Sequence, residues 1–303
     1  MVELENKGDS DKPETWFIEK NELVKGYSIA LTKDNVLFHE KSEFQDIEVF
    51  ENRLFGRVML LDDMIMVTDL DEFVYHDMIT HTPMCVKPDA KKILVIGAGD
   101  GGVVRELVKY PGIEHIDMVE IDKMVCDAAR EFFPTISREL DNDRVHLKFQ
   151  DGVKFAKDAP DSEYDIIIID STDPVSVGEG LFTKEFYSDC YRILRDEGIL
   201  INQSEAPFVL PDVVKGIHRK LSSIFPVFRH YMGIIPTYPS SLWLFGFASK
   251  KLDPVKDMKP DEWNQLGLKT RYYSTDLHKA SFVLPAFVND MLDSSKEDED
   301  KKA

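Results

Sequence analysis

Five places in this chain set acidic or polar groups directly after a run of apolar residues: Gly97-Ala98-Gly99-Asp100-Gly101-Gly102, Glu120-Ile121-Asp122, Asp151-Gly152, Asp170-Ser171-Thr172-Asp173, and Gln203 with Glu205. If the runs are strands of one open α/β sheet, these groups gather beyond the carboxyl ends of the strands, where such sheets bind ligands. Any one of them can be a helix cap or a turn residue. Five in succession instead describe an acidic cleft, which selects cations. Gly97-x-Gly99-x-x-Gly102 matches the dinucleotide fingerprint by letter, with Glu120 near the position of the ribose-binding acid. A dinucleotide would place its pyrophosphate on the N–H groups opening the helix, and Asp100 would set a carboxylate beside that anion. The arrangement instead suits a nucleoside whose hydroxyls meet Glu120, whose adenine edge meets Asp151, and whose remainder, near Asp100, is positive. A sulfonium nucleoside with an amine tail has those properties.

The elements that must position these groups follow from the hydropathy pattern. From about Trp16 to Asp69, short alternating stretches (YSIALT, NVLFHEK, FQDIEVFEN, LFGRVMLLDD, MIMVTD) broken by turn residues predict antiparallel hairpins. Asp62-Asp63 reads as one of the turns. Residues 71–84 change to helical spacing, with Phe73, Met78 and Ile79 as candidate buried positions and Pro83 and Pro88 ending the segment. After Lys91 strand and helix alternate, with helices expected at about 101–110, 123–132, 183–194 and 211–223, and a final antiparallel pair across PTYPSS. A continuous run such as Ile166 to Ile169 fits a strand covered on both faces, so the sheet is doubly wound and mostly parallel. The expected organisation is a β-hairpin domain over 1–70 with the first dozen or so residues flexible, a catalytic α/β domain over 71–290 that includes the linker helix, and a disordered charged tail over 291–303. Tyr272, Tyr273 and Phe282 are expected to anchor the C-terminal segment on the sheet.

Composition narrows the function. The chain has 303 residues, 37 Lys and Arg against 56 Asp and Glu, and a net charge of −19. A phosphate backbone is bound by basic surfaces, so a nucleic-acid partner is not expected. No apolar run approaches the roughly 18 residues a membrane span requires, and the opening MVELENKGDSDKPET is unlike a targeting peptide, which points to a cytoplasmic protein with no membrane partner. Cys85, Cys126 and Cys190 are far apart and odd in number, so they read as core thiols. His76 and His81 are five residues apart, the wrong spacing for two ligands on one helical face, and the strand-end acids lack His or Cys partners, so no metal is expected. A histidine on an apolar helix is more often packed or capped than functional. Tyr238 and Trp243 can likewise be read as core aromatics.

The segments FQDIEVFEN (44–52), DEFVYHDMITH (71–81), VIGAGDGG (95–102), VEID (119–122), QDG (150–152), DSTDP (170–174), LFTKEFY (181–187), PTYPS (236–240) and RYYSTDLHKASFVLP (271–285), in this order and at this spacing, resemble the spermidine synthases, a family of polyamine aminopropyltransferases. The resemblance implies a small N-terminal antiparallel β domain followed by a Rossmann-like, methyltransferase-type doubly wound sheet. It also implies transfer of an aminopropyl group from decarboxylated S-adenosylmethionine, a co-substrate rather than a cofactor, to putrescine, with release of methylthioadenosine. It places Gln45, Asp100, Glu120, Asp151, Gly152 and Val177 at the donor, Asp100 on the amine of its aminopropyl arm, and Tyr75, His76, Asp170, Asp173, Gln203, Glu205 and Tyr238 at the acceptor. Asp170 would be the proton acceptor, assisted by Tyr75 and Asp173, and Trp16 an aromatic cover of the channel. A homodimer or homotetramer through the β domain is implied as well.

The residue types suit that reaction. An alkylamine titrating near 10.4 costs about 4.6 kcal/mol to neutralise at pH 7, and a carboxylate held beside it takes the proton as the N–C bond forms. Asp100 would disfavour the carboxylate-bearing donor by like-charge repulsion. The sequence departs from the usual pattern at Met66, at Asp63, Ala98 and Ser241 where glycine is usual, and at Ser176-Val177 where Gly-Pro is frequent. Alternatives are another acceptor (cadaverine or agmatine), an amine N-methyltransferase, and a catalytically silent polyamine or nucleoside sensor.

Overall fold

A computed structural model describes residues 14–21, 23–174 and 176–300. The chain begins with a two-stranded ribbon, β1 (Trp16–Ile18) and β2 (Ala30–Thr32), followed by an antiparallel meander of β3 (Asn35–Lys41), β4 (Asp46–Asn52), β5 (Gly56–Leu61) and β6 (Met64–Thr68). Alternation works as expected here: Ile47, Val49, Met59 and Val67 pack on one face with the aliphatic side of a later helix, whereas Phe50, Val58, Leu60 and Ile65 pack with Phe17 and Leu31 of the ribbon. The β5–β6 turn is Asp62-Asp63, both with left-handed φ, 50° and 62°, as a two-residue hairpin loop requires.

The helix α1 (Glu72–Val86) leads into an alternation of β7 (Lys92–Gly97), α2 (Gly102–Leu107), β8 (His115–Glu120), α3 (Lys123–Phe132), α4 (Pro134–Ser137), β9 (Val145–Phe149), α5 (Gly152–Asp158) and β10 (Tyr164–Asp170). A 3-10 segment (Ser176–Phe182) precedes α6 (Lys184–Ile193), β11 (Leu194–Gln203), α7 (Pro211–Ile224), β12 (Val227–Ile234), β13 (Leu242–Ser249), α8 (Pro260–Gln265), α9 (Thr275–Ser281) and α10 (Ala286–Asp300). Among the described residues the large sheet runs β12-β13-β11-β10-β7-β8-β9, parallel from β11 to β9 and antiparallel at β13 and β12. Strand order reverses between β7 and β10, so Gly97 and Asp170, paired in register, mark the switch point. The run Ile166–Ile169 is buried on both faces, with alternate residues in two cores on opposite sides of the sheet.

Two expectations are corrected. Pro83 does not end α1: the helix continues to Val86, and Lys87 N–H bonds back to Pro83 O at 2.9 Å. The charged C-terminal segment is not a tail without structure from 291 on. It continues α10 to Asp300, because Val288 and Leu292, four residues apart, bury against Val214 and Leu244; residues 301–303 lie outside the described residues, as does the opening segment whose first dozen or so residues were expected to be flexible. Tyr273 and Phe282 do bury against the sheet, and Asp77 Oδ2 accepts three backbone N–H groups from Arg271, Tyr272 and Tyr273 at 2.9, 2.7 and 3.2 Å. The three cysteines are buried and free. No helix among the described residues is long and apolar enough to cross a membrane.

Candidate functional site

One cleft crosses the carboxyl ends of β7, β8, β10 and β11, with the β5–β6 hairpin and the residues after β1 as its roof. The glycine loop lies at its centre, and its glycines answer to local packing. Gly97, at φ 83°, brings its backbone against Asp170 so closely that a Cβ would fall 2.0 Å from Asp170 O, and Ala98 N–H bonds that oxygen at 2.9 Å. A Cβ on Gly102 would fall 2.2 Å from the His76 ring. The glycine spacing thus holds β7, β10 and α1 together at the switch point, a use unrelated to a pyrophosphate.

On one side of the loop, Glu120 Oε1 accepts Asp122 N–H at 2.8 Å, and a side chain on Gly99 would reach its Oε2 at 3.1 Å. Burial, only partly offset by the Asp122 N–H, pushes the Glu120 carboxyl up to about 7. Gln45 is buried beside it and donates to Asp122 Oδ2 at 3.0 Å. Asp151 and Gly152 line the same end; Asp151 also caps α5, its Oδ1 accepting Val153 N–H at 2.7 Å. Val177 lies in the 3-10 segment, and its side chain is outside the described residues.

At the centre, Tyr75 O–H donates to Asp170 Oδ1 at 2.5 Å. Burial and the neighbouring Asp100 push the Asp170 carboxyl up to about 7, against the opposing pull of His76 and Tyr75. Asp100 Oδ1 accepts Gly102 N–H at 2.7 Å, and its Oδ2 lies 3.2 Å from His76 Nε2. His76 is 2% exposed, so it meets the cleft from behind Asp100.

The far end is acidic and largely buried. Asp173 Oδ2 accepts Asn21 Nδ2–H at 2.7 Å. Glu205, fully buried with left-handed φ of 71°, is bound to Gln203 through Nε2–H at 3.0 Å and through its own N–H at 3.1 Å. Its Oε2 has no donor when both acids are ionised; a bond to Asp173 forms only when one carries a proton. Burial and Asp173 push Glu205 well above the carboxylate range, making it the proton holder, and burial raises Asp173 as well. Tyr238 packs between Tyr75 and Trp243 at 5.9 and 4.7 Å and donates to Met66 O at 2.8 Å, which ties its loop to the roof. Asp71 Oδ2 holds the same loop through Thr237 N–H and Oγ1–H at 2.9 and 2.7 Å.

The structure therefore gathers Gln45, Asp100, Glu120, Asp151, Gly152, Tyr75, His76, Asp170, Asp173, Gln203 and Tyr238 about one cleft, with Glu205 behind Gln203. Trp16 is corrected: it is 54% exposed on the ribbon and does not line the cleft. Glu19 and Asn21 do. Glu19 accepts Ile65 N–H at 3.0 Å, and burial pushes it up to about 7. The signal for Glu19 was its parity with buried Phe17 along an alternating strand. The close group Asp77, His81 and Glu106, buried between α1 and α2, is engaged internally: His81 with Tyr110 and Glu106, Asp77 with the backbone of 271–273, and Glu106 with Arg105 and Lys109. The positions where this chain departs from a usual glycine, Asp63, Ala98 and Ser241, all have left-handed φ, 62°, 63° and 58°.

The spermine/spermidine synthase domain pattern matches residues 72–259, and the spermidine synthase tetramerisation domain pattern matches 15–69. The chain is 53% identical over 281 residues to a polyamine aminopropyltransferase of Clostridium beijerinckii, covering 92% of this chain and 98% of the relative. It is 52% identical over 283 residues to one of Alkaliphilus metalliredigens, covering 93% and 99%. Among solved structures, a spermidine synthase in complex with the transition-state analogue AdoDATO superposes with a TM-score of 0.89 at 36% identity, covering 95% of this chain and 99% of that one. The spermidine synthase of Thermotoga maritima superposes with a TM-score of 0.88 at 36% identity, covering 95% and 98%.

Proposed function

This chain belongs to the spermine/spermidine synthase family, the polyamine aminopropyltransferases, and on that premise we propose that it transfers an aminopropyl group from decarboxylated S-adenosylmethionine to putrescine, forming spermidine and methylthioadenosine. The observation that carries this reading is the Tyr75–Asp170 pair beside Asp100 at the switch point, with a second group of acids, Asp173 and Glu19, at the other end of the same cleft and Glu205 behind it. Two separated acidic groups suit two separated amines.

The donor nucleoside takes the Glu120 end, its ribose hydroxyls on Glu120 and its adenine edge toward Asp151, while its ammonium meets Asp100. The acceptor lies past Tyr75, with its far ammonium between Glu19 and Asp173. Its near nitrogen attacks the methylene bound to sulfur; the N–C bond forms, the C–S bond breaks, and the electron pair leaves on sulfur as a neutral thioether. No general acid is needed for that departure. The nitrogen sheds a proton to Asp170, whose carboxyl near 7 is matched to neutral pH. Alignment of nitrogen, carbon and sulfur in one cleft contributes on the order of 7 to 11 kcal/mol. Carboxylates that attract a diamine also stabilise its unreactive ammonium form, and the two ends divide these tasks: Glu19 and Asp173 hold the far ammonium, while Asp170 receives the proton of the reacting nitrogen. The tetramerisation pattern over the β domain supports a homo-oligomer.

The test is product analysis with decarboxylated S-adenosylmethionine and separate amines. The proposal expects methylthioadenosine and spermidine in equal amounts, with putrescine favoured over cadaverine and agmatine. Intact S-adenosylmethionine yielding methylated putrescine, or no release of methylthioadenosine with any amine, overturns it.

A further inference from the structure

Asp100 does not meet the cleft alone. Behind it runs a buried file of alternating charges across α1 and α2. His76 Nε2 is 3.2 Å from Asp100 Oδ2, His76 Nδ1 is 2.6 Å from Glu72 Oε2, and Arg105 grips both Glu72 oxygens at 3.1 and 2.8 Å. Arg105 does not line the cleft; Glu72 is part of its lining, but both Glu72 oxygens are taken up by Arg105 and His76. Glu72, His76 and Arg105 are 9%, 2% and 7% exposed. The imidazole lies flat on Gly102, where a Cβ would fall 2.2 Å from it, so the ring has no room to turn.

We propose that Glu72 and Arg105 are positioning residues for the donor: acting through His76, they set how much negative charge Asp100 presents to the ammonium of the aminopropyl arm. The proposal rests on the aminopropyl-transfer reading. A buried ion pair is costly unless each member is matched, and this file is matched throughout: His76 lies between Asp100 and Glu72, Arg105 between Glu72 and Glu106, and Glu106 is bonded to Lys109 in turn. Burial drives the His76 ring toward its neutral form, but Asp100 and Glu72 on either side outweigh it and hold the ring up to about 10. The same two neighbours of Glu72, His76 and Arg105, overcome its burial and hold it at about 2. Around the ring stand Glu72 from α1, Arg105 behind it on α2, Asp100 from the glycine loop, Asp170 from β10, and the Tyr75 ring edge-on at 5.7 Å. With the file complete Arg105, Glu72, His76 and Asp100 cancel, Glu106 beside Arg105 is cancelled by Lys109, and an arriving ammonium adds to a neutral set. Without Glu72 the set carries one excess positive charge while His76 is protonated, and none once the ring loses its proton.

The diagnostic variant is Glu72→Gln, which keeps the size of the side chain and an acceptor for the His76 Nδ1–H. KM for decarboxylated S-adenosylmethionine should rise on the order of tenfold at pH 6 to 7, from one unpaired charge about two side chains away, and fall back toward the wild-type value by pH 9.5 as the ring deprotonates. The kcat should change little, and the KM of Glu72→Asp should follow that of the wild type at every pH. A KM that is raised equally at every pH, or that never departs from wild type, overturns the proposal. Should Glu72→Gln fail to fold, the wild-type protein still decides: the His76 ring, assigned by its loss in His76→Asn and followed by nitrogen NMR, should remain protonated through pH 9, and titration below pH 8 refutes the role. A wild-type enzyme that releases no methylthioadenosine would instead refute the functional reading, leaving the NMR result to judge the charge file.

Discussion

Replacing Asp170 by Asn isolates the proposed proton-acceptor step. The amide keeps the shape of the side chain and an oxygen for the Tyr75 O–H, now at 2.5 Å, so the loss is confined to charge and basicity. Neutralising a free alkylamine at pH 7 costs about 4.6 kcal/mol, and positioned general bases contribute roughly 10²- to 10⁴-fold. The variant should therefore lose about 10³-fold in kcat, or about 4 kcal/mol of barrier. Initial rates of methylthioadenosine release, with both substrates saturating, measure this directly. The pH profile adds a second test. In the wild type, kcat with both substrates saturating, which removes the binding contribution of Glu19, should rise through a midpoint near 7, where Asp170 ionises, whereas the variant should lack that limb and rise only as the amine itself deprotonates. A variant within a few-fold of wild type, or one that keeps the midpoint near 7, refutes the assignment of the base.

Glu19→Gln should raise KM for putrescine about tenfold and leave KM for the donor unchanged, because Glu19 stands at the far end of the cleft; steady-state kinetics with each substrate varied distinguishes the two. Putrescine should bind more tightly as pH rises from 5.5 to 8: the carboxyls of Glu19 and Asp170, both raised to about 7, are neutral in acid and must ionise to pair with the cation, a trend that calorimetric titration at the two pH values would read. The same raised values mean that ionising these groups opposes folding. Their cost is absent below the unfolded carboxylate range, grows between about 4 and 7, and is then constant, so Asp170→Asn should gain stability over wild type across that interval in chemical denaturation. Ser241→Gly removes a left-handed non-glycine residue, φ 58°, and should raise Tm by about 1 to 2 °C in calorimetry.

The sheet was legible because the pattern that forms it is local. The β-branched run Ile166–Ile169 can only be a doubly covered strand, and each strand of the parallel set carries its acid at the end where the switch point gathers them. The final hairpin was legible from PTYPSS, whose Ser240 and Ser241 both turn left-handed. What was not legible depends on contacts between distant segments. Glu19 enters the cleft because the N-terminal ribbon folds over the hairpin and Ile65 N–H holds its carboxylate, while Trp16, three residues earlier, points away. Helix α1 reads as a linker with a few apolar positions, yet it is buried almost all round, so Glu72 and Asp77 find partners on α2 and in the 271–273 segment that no periodicity announces. The C-terminal helix was obscured by its charge; the pair Val288 and Leu292, not the composition, decides its fate.

In the proposed function, carboxylates from separate strands converge to seat a cationic arm beside an activated sulfur, with Asp100 choosing the donor. Competitive binding of decarboxylated and intact S-adenosylmethionine to wild type and Asp100→Asn tests it most directly. Wild type should prefer the decarboxylated form on the order of 100-fold, the effect of setting like charges together, and Asp100→Asn should narrow that preference to less than about tenfold. An unchanged preference in the variant, or a wild type that binds the carboxylate-bearing donor equally well, would contradict the account.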